Sequence, residues 1–91
     1  MILQGSLRME YNNESFNLIV KAILKNGIYY FFVSDKEKEK SLLVGQTLEL
    51  TYIDSFDSTV REGRINYKNI PVGIVKAIEN MLLENKKLWL Y

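Results

Sequence analysis

Apolar and polar residues alternate from Leu3 to Tyr11: Leu3, Gly5, Leu7, Met9 and Tyr11 fall on one side, Gln4, Ser6, Arg8 and Glu10 on the other. This period of two predicts a half-buried strand. Asn12-Asn13 follows, and because Asn adopts positive φ at less cost than any residue but Gly, the pair predicts a two-residue hairpin loop. Pairing outward from it sets Glu14 opposite Tyr11, Phe16 opposite Met9, Leu18 opposite Leu7, Val20 opposite Gly5 and Ala22 opposite Leu3. Asn26-Gly27 predicts a second loop that sets Leu24 opposite Tyr29, Ala22 opposite Phe31 and Val20 opposite Val33. The two loops are independent signals, yet they assign the same face to the core. A one-residue slip at either would turn a whole apolar row to solvent, so the pattern predicts a three-strand meander over residues 2–35.

Asp35 to Lys40 alternates in charge and reads as a solvated connection. Leu42 to Gln46 leads into Thr47–Ile53, where Leu48, Leu50 and Tyr52 alternate with polar residues as a fourth strand, Gly45 serving a turn or bulge. Residues 55–70 read as a loop or a short fifth strand. Pro71, the only proline, suits the first helical position, with Asn69 before it as the cap. Ile74, Val75, Ile78, Met81 and Leu82 then share one arc of a 3.6-residue period, which predicts an amphipathic helix over 71–86 ended by Asn85. Lys86 and Lys87 favour its negative terminus. Val72 and Leu83 flank that arc, and residues 88–91 read as an extended tail carrying Trp89 and Tyr91. The expectation is therefore a single α+β domain over 1–91: an antiparallel β-meander of four to five strands over 2–54, in ββββα order, with one face covered by the C-terminal helix.

Composition narrows the chemistry. The 91 residues contain no cysteine and no histidine, which removes disulfides, thiolate nucleophiles, zinc knuckles and the usual near-neutral base. Twelve basic against eleven acidic residues leave a formal charge of +1, so any attraction to nucleic acid or membrane has to be local. No run approaches the length of a membrane span, and the first residues lack the pattern of a secretion signal; a cytoplasmic location is the expectation. Asp54 and Asp57 are the best candidates for a shared cation or an acid–base pair, but their spacing fits ordinary turn chemistry. The expectation is a non-enzymatic protein with no cofactor and no metal site.

The face opposite the core is the informative one. The two registers gather Arg8, Ile19, Lys21, Ile23, Lys25, Tyr30 and Phe32 there, whereas a solvated sheet face is ordinarily polar. Arg61, Arg64, Trp89 and Tyr91 are candidate secondary contacts. Three readings compete: an interface with a second copy or a partner protein, a sheet that curls and buries the face internally, and a platform for single-stranded nucleic acid in which aromatics stack bases and cations hold phosphates.

In element order the chain resembles the PUR-like and related ββββα single-stranded nucleic-acid binders, a resemblance over residues 1–86 that rests on strand–helix order and the aromatic-basic face and would imply the last of those readings. The cyclic-dinucleotide-binding PilZ pattern fails on spacing, because Arg61 and Arg64 are three apart where it needs four, and Asp57-Ser58-Thr59 lacks its turn order. The leading expectation is an interaction module that binds protein, itself or a partner, through the uncovered face. Single-stranded DNA or RNA binding is the alternative.

Overall fold

The computed structural model describes residues 3–37, 39–53 and 70–89. Four strands form one antiparallel sheet in chain order, β1 (Leu3–Tyr11), β2 (Glu14–Lys25), β3 (Ile28–Asp35) and β4 (Leu48–Ile53). Both hairpins carry the expected turns. Asn12 and Asn13 have φ of 51° and 63°, and Asn26 and Gly27 have 53° and 77°, consecutive positive values that match the right-handed twist of the strands they join. The registers agree pair by pair with the pattern, from Tyr11 opposite Glu14 to Leu3 opposite Ala22, and from Lys25 opposite Ile28 through Val20 opposite Val33. β4 continues the sheet with Tyr29 opposite Tyr52, Phe31 opposite Leu50 and Val33 opposite Leu48. Among the described strands β1 does not pair with β4, so these four strands do not close on themselves into a barrel.

One face carries the core. Leu18, Val20, Val33, Leu43, Leu48 and Ile78 are fully buried, and helix α1 (Val72–Glu84) presents Val75, Ile78, Met81 and Leu82 to the sheet, with Ile74 half-buried beside them. Gly73 lets this helix settle close to β1, since a Cβ there would stand 3.1 Å from the Tyr11 hydroxyl. Of the two flanking residues, Leu83 joins the core rim and Val72 stays 63% exposed. Pro71 sits one position earlier than the sequence suggests. It is the cap residue, at φ −57° and ψ 142°, and its carbonyl accepts from the N–H of Ile74 at 3.0 Å and of Val75 at 3.2 Å. Extended ψ at a cap residue is compatible with the fixed φ of proline. Asn69 lies outside the described residues.

The C-terminal segment departs from expectation. Asn85 does end α1, with its backbone N–H bonded to the last-turn carbonyls and its side-chain amide donating to the Met81 carbonyl at 2.7 Å. Residues 86–89, however, form a helical turn, α2 (Lys86–Trp89), rather than the start of an extended tail. Seven residues separate Leu82 from Trp89, about two helical turns, so a helical path returns the indole to the side of the helix that faces the sheet. There Nε1–H donates to the Leu82 carbonyl at 2.8 Å. The ring is 2% exposed and meets Tyr29, Phe31 and Tyr52 edge-on at centroid distances of 5.3, 4.8 and 5.1 Å. Lys86 places its ammonium 5.6 Å from the Tyr52 ring centroid.

The charged connection is exposed but tied back. The Asp35 carboxylate accepts from the N–H groups of Leu42 and Leu43 at 2.8 and 3.1 Å and from the Ser41 hydroxyl at 2.7 Å. The Asn17 side-chain amide donates to Glu37 at 2.6 Å, and Lys40 lies 5.3 Å from the Phe16 ring centroid. Anchored in this way, Leu42 and Leu43 become core residues. A third tight turn follows, with Val44 and Gly45 at φ of 54° and 73° and the Gln46 N–H donating to the Leu43 carbonyl at 3.0 Å. Among the described residues no helix is long and apolar enough to cross a membrane.

Candidate interaction face

Cross-strand rows organise the side of the sheet away from α1. One row runs Gln4, Lys21, Phe32, Glu49, and the next towards the second hairpin sets Ile23 beside Tyr30 and Thr51. On the other side Ser6, Ile19 and Ser34 form a third row. Strand alternation places these residues here because their neighbours, Val20, Ala22, Phe31, Val33, Leu48 and Leu50, fill the core. Ile19 is 38% exposed, and Lys21, Ile23, Tyr30 and Phe32 are half-buried against one another.

A shallow open depression of about 460 Å³ lies on this face, lined by the apolar Ile19, Ile23 and Phe32 together with Gln4, Lys21, Ser34 and Thr47. Four of the sequence-predicted residues thus converge: Ile19, Lys21, Ile23 and Phe32. Tyr30 extends the patch from the adjoining row. Lys25 stands at the hairpin end, exposed and opposite Ile28, four residues and roughly 13 Å along the strand from Lys21. Arg8 is also remote. It pairs with Asn17 in register, donates from Nη2 to the Ser15 hydroxyl at 2.9 Å, and borders a different groove, against α1.

Trp89 is not a contact of this face: it lies on the opposite side of the sheet, in the core. Arg61, Arg64 and Tyr91, like Asp54 and Asp57 and all but Ile70 of the loop or fifth strand considered for residues 55–70, fall outside the described residues. Among the described residues no three acidic groups gather as a metal-binding set.

Ser34, Thr47 and Glu49 are the members that sequence reasoning missed. Ser34 was readable as the polar end of β3's outer face. Thr47 and Glu49 depend on the pairing of β3 with β4, and the connection between those strands is too long for loop length to set a register. Charges on the face are mixed, with Arg8, Lys21 and Lys25 against Glu10 and Glu49, and Glu49 shares a row with Lys21.

Compared with known proteins, the chain matches no family model, and no curated protein or solved structure is similar to it at a significant level. The resemblance to single-stranded nucleic-acid binders thus stays at the level of element order.

Proposed function

We propose that the protein is a non-enzymatic, protein-binding module that docks through the uncovered sheet face, with a second copy of the chain as the first candidate partner. The observation that supports this reading is the depression formed by Ile19, Ile23 and Phe32, with Lys21 at its side and Glu49 on the same row. An apolar depression bordered by neutral polar side chains and one lysine suits another protein surface, which supplies apolar groups and polar partners together. A phosphate backbone is served less well. The three cations are spread along the sheet rather than lined up as a track.

The test is the mass of the particle in solution. Light scattering on the wild-type chain should give more than one copy, and Ile19→Asp or Phe32→Ser, which leave the core residues in place, should halve that mass with the β-sheet circular dichroism unchanged. An unaltered mass in both folded variants would remove self-association through this face. A labelled mixed-sequence single strand, titrated at low and physiological salt, decides against protein docking altogether if it binds saturably and both Lys21→Glu and Lys25→Glu abolish the binding and its salt slope.

A further inference from the structure

The outer edge of β1 is a second surface, separate from the uncovered face. Tyr11 and Glu14 close a two-residue turn and therefore exchange both hydrogen bonds, so the odd-numbered residues of β1 turn their backbone groups inward to β2. Gln4, Ser6, Arg8 and Glu10 turn theirs outward, and among the described residues nothing pairs with that edge. The features that ordinarily blunt an edge strand are missing. β1 is nine residues long, pairs without a bulge, contains no proline, and carries one cation and one anion.

Gly5 adds an unexplained feature. It sits mid-strand on the core side, where glycine weakens a strand, yet an added Cβ would meet nothing within 4 Å. The interior of one chain does not require a glycine there. Beside the edge lies an open groove of about 540 Å³ between Arg8, Met9 and Glu10 on β1 and Ala77, Met81 and Glu84 on α1.

We propose that a second copy of this chain adds to the edge of β1, antiparallel, with Leu7 on the two-fold axis. This register overlaps all nine residues of the strand. It sets Gln4 against Glu10 and Ser6 against Arg8 as hydrogen-bonded pairs, so that donors meet acceptors and no like charges oppose. Arg8 keeps its bond to Ser15, since a guanidinium has five donors. On the core side, Leu3 meets Tyr11 and Leu7 meets Leu7, which covers three residues that one chain leaves half-buried. Gly5 falls opposite Met9, where its missing side chain gives clearance to the strand entering beside α1. The product is a continuous eight-stranded sheet with both helices on one side and both uncovered faces on the other. This contact is distinct from docking through the uncovered face: it is made by the backbone edge of β1 and by core-side residues, whereas docking uses Ile19, Ile23 and Phe32, with Gln4 bordering both.

The chain has no cysteine, so single cysteines test the register directly. Leu7 would face its symmetry mate as a non-hydrogen-bonded pair, with Cα atoms about 4.5 Å apart, inside the roughly 4.4–6.8 Å that a disulfide spans. Leu7→Cys should shift from a monomer to a dimer band under mild oxidation, whereas Leu3→Cys, about 27 Å from its mate in this register, should not. Repeating both in the Ile19→Asp background separates the two contacts: cross-linking at Leu7 persists there even if the face fails to self-associate, and its absence from both backgrounds overturns the edge contact while leaving the face reading standing. Amide exchange on the wild-type chain gives a second readout free of folding defects. The N–H groups of Gln4, Ser6, Arg8 and Glu10 should slow by about tenfold or more as concentration rises. A Leu7→Cys chain that stays monomeric, equal cross-linking at Leu3→Cys, or β1 amides indifferent to concentration would each overturn the proposal.

Discussion

Leu18 and Ile19 are neighbours on β2 with the same number of side-chain carbons, yet Leu18 is fully buried and Ile19 is 38% exposed. Phe31 and Phe32 repeat the contrast on β3, the first beneath Trp89 and the second beside the open depression. The two faces of the sheet are thus both apolar at their centres and differ in what covers them. On one side α1 and the indole of Trp89 exclude water. On the other, no described element packs over the side chains. Apolarity by itself therefore does not locate a core; the covering element does, and a face that has the residues without such an element is where the proposed docking is to be tested.

The sharpest way to break this comparison is to remove the cover. Trp89→Ala should cost about 3–5 kcal/mol, the range for deleting a large buried aromatic, because it empties a site bounded by three rings and leaves the Leu82 carbonyl without its indole donor. Urea unfolding followed by circular dichroism reads it as a large fall in midpoint. Phe31→Ala and Phe32→Ala then compare the faces within one dipeptide. The first should lose about 3–5 kcal/mol and the second, in a monomeric background, about 1–2 kcal/mol, since part of its area is already in water. Equal losses in the same denaturation experiment would mean that the two faces are equally covered.

A smaller effect tests where the core side ends. Asp35→Ala should cost about 1–3 kcal/mol by leaving the part-buried N–H groups of Leu42 and Leu43 without an acceptor, and proteolysis should then open the connection first. The smallest effect has the opposite sign. Val44 holds φ 54° while 72% exposed, and a β-branched residue is a poor occupant of that region. Val44→Asn, which gives this turn the residue type that the two hairpin turns use, should raise the unfolding midpoint by about 1 kcal/mol of stability.

Legibility followed the same physical lines. The meander could be read because two short loops of Asn and Gly each fix a register and both registers agree with a period of two. The helix could be read because Val75, Ile78, Met81 and Leu82 keep a 3.6-residue spacing over several turns. The third turn was legible only through Gly45, because Val44 contradicts the preference that marks its two counterparts, and α2 is too short to show a period at all. Asp35 looked like one more charge in a solvated run, since hydrogen bonding to backbone seven and eight residues on leaves no trace in composition. Of the candidate face, the part carried by β2 and β3 was legible. The part that depends on β4, Thr47 and Glu49, was not, and neither was the groove between β1 and α1, which arises from how a helix settles on a sheet.

The position of Trp89 also has a kinetic meaning. The hairpins join residues close in the chain, so they close small loops, whereas docking the indole on Tyr29 and Phe31 closes one that runs through β3, β4 and α1. Short loops form at less entropic cost than long ones. The chain's single tryptophan is therefore a built-in fluorophore for the slow end of folding, and its emission marks when the sheet, already assembled, acquires its lid.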